Sequence, residues 1–166
     1  MTNFWPQTTP AVYFINATTL TPKWVFQTPG NANGIAISSS GTLYVDVTDI
    51  SSGRPNVKNP LKPRQLNSYS TNHQPVLRDE RLFSNSISYY CDGVRVSKNG
   101  LIWCAAGDGV DVIDKDGKTL GRVRVGGGDK LSAAVNIAFE EHVLWVVGKG
   151  GVWKVSGIEE VLERDW

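Results

Sequence analysis

The chain has 166 residues, which is the usual size of one domain with a substantial core. Its 17 basic and 16 acidic residues nearly cancel and form no basic stripe, so we expect no nucleic-acid partner. No apolar run approaches about 18 residues, which predicts no membrane span. The N-terminus shows neither the charged nor the apolar region of a signal peptide, and the compartment is left open. With 17 Gly, 8 Pro and 6 Trp, the composition favours strands and turns.

One pattern occurs three times along the chain. A polar residue opens an alternating strand, a turn follows, and a second apolar strand completes the hairpin. The turn of the central copy contains Asn99-Gly100, a dipeptide typical of tight hairpins. The three copies are NGIAISSSGTLY (33–44), DGVRVSKNGLIW (92–103) and NIAFEEHVLW (136–145).

The remaining elements extend these hairpins into groups of short strands. Four antiparallel strands within about 35 residues, followed by another such group, are typical of propeller blades. We therefore predict an all-β fold, a single partial β-propeller of about three blades. Strands are predicted at 11–15, 23–27, 34–38, 42–47, 65–70, 81–84, 94–97, 101–105, 109–114, 119–125, 135–139, 143–147 and 152–155.

The same pattern predicts how the chain is divided. Residues 11–28 form part of a blade, and residues 33–84 form a blade that carries an irregular insert at 49–64. A clean blade at 92–125 and a last blade at 135–156 follow, and residues 157–166 form a tail. An insert of this length is either a rim or lid around a site or a surface excursion.

The two cysteines, Cys91 and Cys104, lie on the two arms of the central hairpin. Counting back from the turn places them roughly opposite each other. A pair of buried thiols is the expected state, and a cross-strand disulfide is the alternative.

The order and spacing of these motifs resemble the gluconolactonase, regucalcin and luciferin-regenerating-enzyme family of six-bladed propellers, especially its fungal lactonohydrolase branch. The motifs that carry the resemblance are NGIAIS with GTLYV, DGVRV with NGLIW, GDGVDVID with KTLGR, and NIAF. The resemblance runs from about residue 11 to residue 155 and corresponds to the C-terminal half of the family's longer chain.

The resemblance implies calcium-dependent hydrolysis of carboxylic esters, mostly lactones, at a metal on the propeller axis. In the family, the metal ligands are a Glu in the first blade, the Asn of an Asn-Gly motif and the Asp of an Asp-Gly motif. The last two fall on Asn33 and Asp92, and the Glu has no counterpart. The implied metal is Ca²⁺ or another divalent ion, and Asp92 would also act as the catalytic base.

Elementary geometry favours the same residues. The innermost strand of each blade starts at the axis, so residues that open these strands converge, and their oxygens suit Ca²⁺. Asn136 opens the third such strand and would contact the axis or the substrate. The alternative is that Asn-Gly and Asp-Gly simply form turns. We expect Asp46 and Asp49, which could lie near the same face, to be ordinary surface acids.

Two functions therefore remain open. The first is a lactonase-type calcium hydrolase of a small lactone or ester, incomplete as an isolated chain. A homodimer that closes the propeller would complete it and cover the exposed strand edges. The second is a non-catalytic propeller fragment or binding module, which the missing Glu favours.

Overall fold

The computed structural model describes residues 10–28, 30–48, 64–71, 78–87, 90–126, 134–159 and 162. Within these ranges the chain forms 13 β-strands and no helix, which confirms the predicted all-β class. The same residues contain no helix that could cross a membrane. The predicted insert, apart from Arg64, and Asp49 lie outside the described residues, as does most of the predicted tail.

The strands form four antiparallel sheets, each built from consecutive strands. The first sheet contains β1 (Ala11–Ile15) and β2 (Pro22–Gln27). The second contains β3 (Asn31–Ile37), β4 (Thr42–Thr48), β5 (Arg64–Ser70) and β6 (Arg78–Asn85). The third contains β7 (Val94–Val96), β8 (Ile102–Ala106), β9 (Gly109–Ile113) and β10 (Thr119–Arg124). The fourth contains β11 (Ala134–Glu140), β12 (Val143–Gly148) and β13 (Gly151–Val155).

The sheets stack face to face, with an apolar layer between each neighbouring pair. Val12 packs with Val45 and Val47 between the first and second sheets. Leu66 and Ile102 belong to the layer between the second and third sheets, and Leu144 belongs to the layer between the third and fourth. The first strands also meet, because β3 contacts β7 and β7 contacts β11. Stacked antiparallel sheets whose first strands converge form part of a β-propeller.

Three of the hairpin turns share one geometry, and the central one contains Asn99-Gly100 as predicted. In the central hairpin, Ser97 N–H bonds Leu101 O at 2.9 Å, and Gly100 N–H bonds Ser97 O at 2.7 Å. Four residues, 97–100, therefore make the turn, and Gly100 ends it with a φ of 78°. The 38–41 and 114–117 turns repeat both hydrogen bonds. Gly is favoured at the last position because a positive φ places no side chain under strain there.

The expectation of free buried thiols is wrong, because Cys91 and Cys104 form a disulfide. Cys104 pairs with Val94 in the ladder, and Cys91 lies three residues before Val94. The chain nevertheless brings the two Cα atoms within 5.3 Å, which is a normal distance for a disulfide. Both cysteines are fully buried in the layer between the second and third sheets. The disulfide therefore fixes the residue directly before Asp92.

Candidate metal and catalytic site

The residues that open the first strands of the last three sheets lie next to one another. A Cβ on Gly34 would collide with the main-chain oxygen of Asp92 and would lie 2.7 Å from Val94 Cγ2. A Cβ on Gly93 would lie 2.8 Å from the Cα of Asn136. Gly93 N–H also donates a 2.7 Å hydrogen bond to Val135 O. Glycine at 34 and 93 thus allows the backbones of neighbouring sheets to touch.

A β-bulge presents Asn33 at this junction. Ala32 pairs with Val47 and Ile35 pairs with Val45, so Asn33 and Gly34 together oppose the single residue Asp46. Such a bulge bends the strand and turns its side chains, and bulges are common beside active sites. The side chain of Asn33 is exposed, whereas Gly34 is buried against the third sheet. The bulge therefore places an amide oxygen at the open end of the sheet stack.

Asn33 and Asp92 are in direct contact. The Asn33 side chain donates a hydrogen bond to the Asp92 carboxylate, and this bond lowers the pKa of Asp92. Partial burial of Asp92 is the larger influence and raises its pKa above the ordinary value for Asp. The two residues are 59 positions apart in the sequence, and the sheet stacking brings them together.

Asp46 lies behind this pair and is not the surface acid that we expected. It alternates along β4 with Val45 and Val47, so its side chain points with Tyr44 toward the third sheet. Its side chain is fully buried, at 0% exposure. Burial and then the negative charge of Asp92 raise the pKa of Asp46 to about 8, and the N–H of Cys91 opposes this rise. The negative charge of Asp92 therefore disfavours ionisation of Asp46.

The carboxylate of Asp46 has no adequate partner in the described part of the chain. Neither oxygen accepts a hydrogen bond of ordinary geometry, and no salt bridge reaches them. The Cys91 N–H is near enough to influence the pKa but too poorly placed to form a good hydrogen bond. A buried carboxyl group without partners is costly, so its position requires an explanation.

Tyr90 completes the acidic side of the site. Burial raises the pKa of its phenol, and the charges of Asp92 and Asp46 raise it further. Its hydroxyl group therefore lies within the electrostatic range of both carboxylates. The sequence motifs did not indicate Tyr90, and they placed Asp46 near the same face only as an ordinary surface acid. The available signal was one acid inside the otherwise buried apolar strand TLYVDVT.

Asn136 lies against Gly93, the residue after Asp92, and occupies a different register position from Asp92. Ile137 packs toward the third sheet, and Val94 packs toward the second sheet in the same way, so these two residues occupy equivalent positions. Asn136 therefore corresponds to Gly93, and Val135 corresponds to Asp92. The Oδ1 atom of Asn136 accepts a 2.9 Å hydrogen bond from the N–H of Ile137. Its exposed side chain covers Gly93 at the edge of the junction.

The donor atoms at this junction fit a hard cation. Asn33 offers an amide oxygen, Asp92 offers a carboxylate, and the unpartnered carboxyl group of Asp46 lies behind them. Oxygen donors of this kind bind Ca²⁺ with waters filling the other positions. Within the described ranges, no group of three or more His, Cys, Asp or Glu side chains forms a complete metal site. Any cation held here would thus use the amide of Asn33 as well as carboxylates.

The sheet stack with a polar junction at its converging strands defines this chain as part of a β-propeller with a candidate axial site. No family model matches the chain. Among curated proteins, it is similar to the lactonohydrolase oryL of Aspergillus oryzae, at 30% identity over 167 residues. That match covers 90% of this chain but 37% of the relative.

Solved structures show the same partial coverage. The gluconolactonase of Xanthomonas campestris matches with a TM-score of 0.73 and 25% identity, over 91% of this chain and 46% of its own. A regucalcin from Agrobacterium tumefaciens, described as a calcium-binding protein, matches with a TM-score of 0.69 and 20% identity, a likeness of fold alone. The chain belongs to the gluconolactonase, regucalcin and luciferin-regenerating-enzyme-like family, and it spans about half the length or less of the proteins it matches.

Proposed function

We propose that the chain carries the axial cation site of a calcium-dependent lactone hydrolase and is incomplete as an isolated unit. The observation that carries this proposal is the contact between Asn33 and Asp92 at the convergence of two first strands. The relatives support it because two of them are named as a lactonohydrolase and a gluconolactonase, and a third as a calcium-binding protein.

In this proposal, Asn33 and Asp92 hold a Ca²⁺ or another divalent ion. When bound, the ion would polarise the lactone carbonyl and lower the pKa of a coordinated water. Asp92 would take the proton of the attacking water, and partial burial favours this role because it raises the pKa of the carboxyl group. Asn136 would contact the substrate from the neighbouring strand. Ring opening then gives a hydroxy acid, with the proton delivered to the departing alkoxide.

We also propose that a second copy of the chain completes the propeller. The outer sheets carry exposed apolar side chains, including Tyr13 and Trp24 on the first sheet and Val147 and Val152 on the last. A closed propeller would cover such faces with neighbouring blades. Because the chain covers 46–54% of two solved propellers, two copies would supply about the length of one. Sedimentation velocity tests this, since a strictly monomeric folded chain would contradict the pairing.

The experiment that tests the proposed activity measures lactone opening with and without Ca²⁺. Purified chain, stripped with a chelator, is assayed against a panel of lactones including gluconolactone, and spontaneous opening is subtracted. We expect activity that Ca²⁺ restores and that Asp92→Asn abolishes. The exposed Asp116→Asn variant is the matched control and should retain activity. Activity unaffected by chelation and by Asp92→Asn would contradict the proposal.

The second candidate is a non-catalytic propeller module. It is favoured by the length of the matched relatives, of which this chain spans only a part, and by the missing first-blade Glu. A folded chain that binds Ca²⁺ but opens no lactone, whether monomeric or dimeric, would support this candidate over the hydrolase.

A further inference from the structure

Asp46 is the least explained polar group in the described part of the chain. It lies directly across from the bulge that presents Asn33, and its carboxylate faces the sheet that presents Asp92. Both oxygens are shielded from solvent, and neither accepts an ordinary hydrogen bond. The only charged group known to act on it from this cluster is another acid, Asp92. This cluster thus places two carboxyl groups together, and no salt bridge among the described residues supplies a cation to balance them.

A purely structural role accounts poorly for this arrangement. A buried acid that stabilises a fold normally accepts several hydrogen bonds or pairs with a base. Asp111 in the same chain shows that pattern, because it accepts hydrogen bonds from Ser86 and Ile87 and forms a salt bridge with Arg122. Asp46 has none of these supports. An apolar or amide side chain would occupy the site at lower cost in free energy.

We infer that Asp46 belongs to the cation site, as a positioning residue that supplies a second buried negative charge behind Asn33 and Asp92. This inference rests on the proposed function, because it assumes a cation at those two residues. One amide and one carboxylate provide little negative charge for a divalent ion, and Asp46 would add to that charge. The affinity of a Ca²⁺ site rises with the number of charged groups around it.

Because its oxygens are shielded from solvent, Asp46 acts on the ion through its electric field and through the position of the Asn33 bulge. It does not coordinate the ion. A field effect has a property that a packing effect lacks. The attraction between a fixed charge and an ion is proportional to the charge of the ion. Loss of Asp46 should therefore weaken binding of a trivalent lanthanide more than binding of Ca²⁺.

The test compares the affinities of the full chain for Ca²⁺ and for Tb³⁺ by calorimetric titration. The variants are Asp46→Asn, which keeps the shape and removes the charge, and the exposed Asp116→Asn as a control. We expect Asp46→Asn to weaken Ca²⁺ binding by about tenfold or more. The loss for Tb³⁺ should be larger, and Asp116→Asn should match the wild type. Thermal unfolding in chelator shows whether Asp46→Asn is folded.

The outcomes separate this inference from the function on which it rests. If the wild type binds Ca²⁺ and Asp46→Asn binds both ions with wild-type affinity, the role of Asp46 is overturned and the site at Asn33 and Asp92 stands. Equal fold-losses for Ca²⁺ and Tb³⁺ would likewise overturn it, because they indicate a packing defect. If the wild type binds neither ion, the cation site itself is refuted and the role of Asp46 with it.

If Asp46→Asn does not fold, a second variant keeps the test decisive. Asp46→Ser removes the charge with a smaller polar side chain and creates no overpacking at the buried position. The same pair of affinities is then measured on this variant, with the same expected order of losses.

Discussion

The amide of Asn33 donates a hydrogen bond to the carboxylate of Asp92 across the boundary between the second and third sheets. Gly34, next to Asn33, closely approaches the main chain of Asp92 and so allows the two strands to meet there. Asp46 lies across the strand pair from Asn33, and Cys91 directly precedes Asp92. The site therefore depends on how closely two blades pack.

The first prediction concerns the glycines at the junction. Gly34→Ala places a methyl group against the Asp92 carbonyl, and Gly93→Ala places one against Asn136. Because backbone atoms cannot move aside, we expect each variant to lower the free energy of unfolding by about 1–3 kcal/mol. Urea unfolding measures this loss. Gly121→Ala is the matched control, because a Cβ there meets nothing within 4 Å. Wild-type stability for Gly34→Ala would contradict the close packing of the blades.

The second prediction concerns the disulfide. It closes a loop between residues 13 positions apart, so its removal should destabilise the fold by about 3 kcal/mol. We expect the Cys91→Ala/Cys104→Ala variant to show this loss in urea unfolding, and a reducing agent to lower the stability of the wild type alone. Because Cys91 adjoins Asp92, the variant should also bind Ca²⁺ more weakly. Two titratable thiols in the unreduced, unfolded wild type would show that the disulfide is absent.

The third prediction is a dependence of stability on pH that originates at Asp46. Its pKa is raised from 3.8 to about 8 in the folded chain, so the folded state holds a proton that the unfolded state releases. Stability from this group is fully present below about pH 4 and is lost as the pH rises toward 8. In chelator, we expect the wild type to unfold more easily at pH 8 than at pH 5.

Asp46→Asn supplies the comparison for this pH effect. The variant cannot ionise at position 46, so its stability should change less between pH 5 and pH 8 than that of the wild type. The shift at Asp92 has the same direction, so a smaller dependence should persist in the variant. A wild type that becomes more stable across this range would contradict the assignment.

Much of the fold is encoded locally and was predictable. Alternating strands such as VRVS and the repeated turns ending in Gly41, Gly100 and Gly117 identify the hairpins without tertiary information. The opening residues Asn33 and Asp92 could be proposed because repeated strands in a propeller start at one axis. Their assignment as metal ligands remains a prediction.

The features that escaped prediction depend on packing between sheets. Asp46 reads as a surface acid in the sequence, and only the stacking of the second sheet between the first and third buries it. Strand counting placed Cys91 and Cys104 roughly opposite each other but favoured thiols over the disulfide, because the path of the chain before Val94, which brings their Cα atoms within 5.3 Å, cannot be read from the sequence. The position of Asn136 also needed tertiary contacts, since its one-residue offset relative to Asp92 follows from which side chains face the core.

Calorimetric titration of the chain with Ca²⁺ tests the axial cation site directly, with Asp92→Asn and the exposed Asp116→Asn titrated alongside. We expect saturable binding to the wild type and to Asp116→Asn, and loss of that binding in Asp92→Asn, because the variant removes the charged oxygen donor. Folded wild-type chain that binds no Ca²⁺, or an Asp92→Asn variant that binds as the wild type does, would contradict an axial cation site at Asn33 and Asp92.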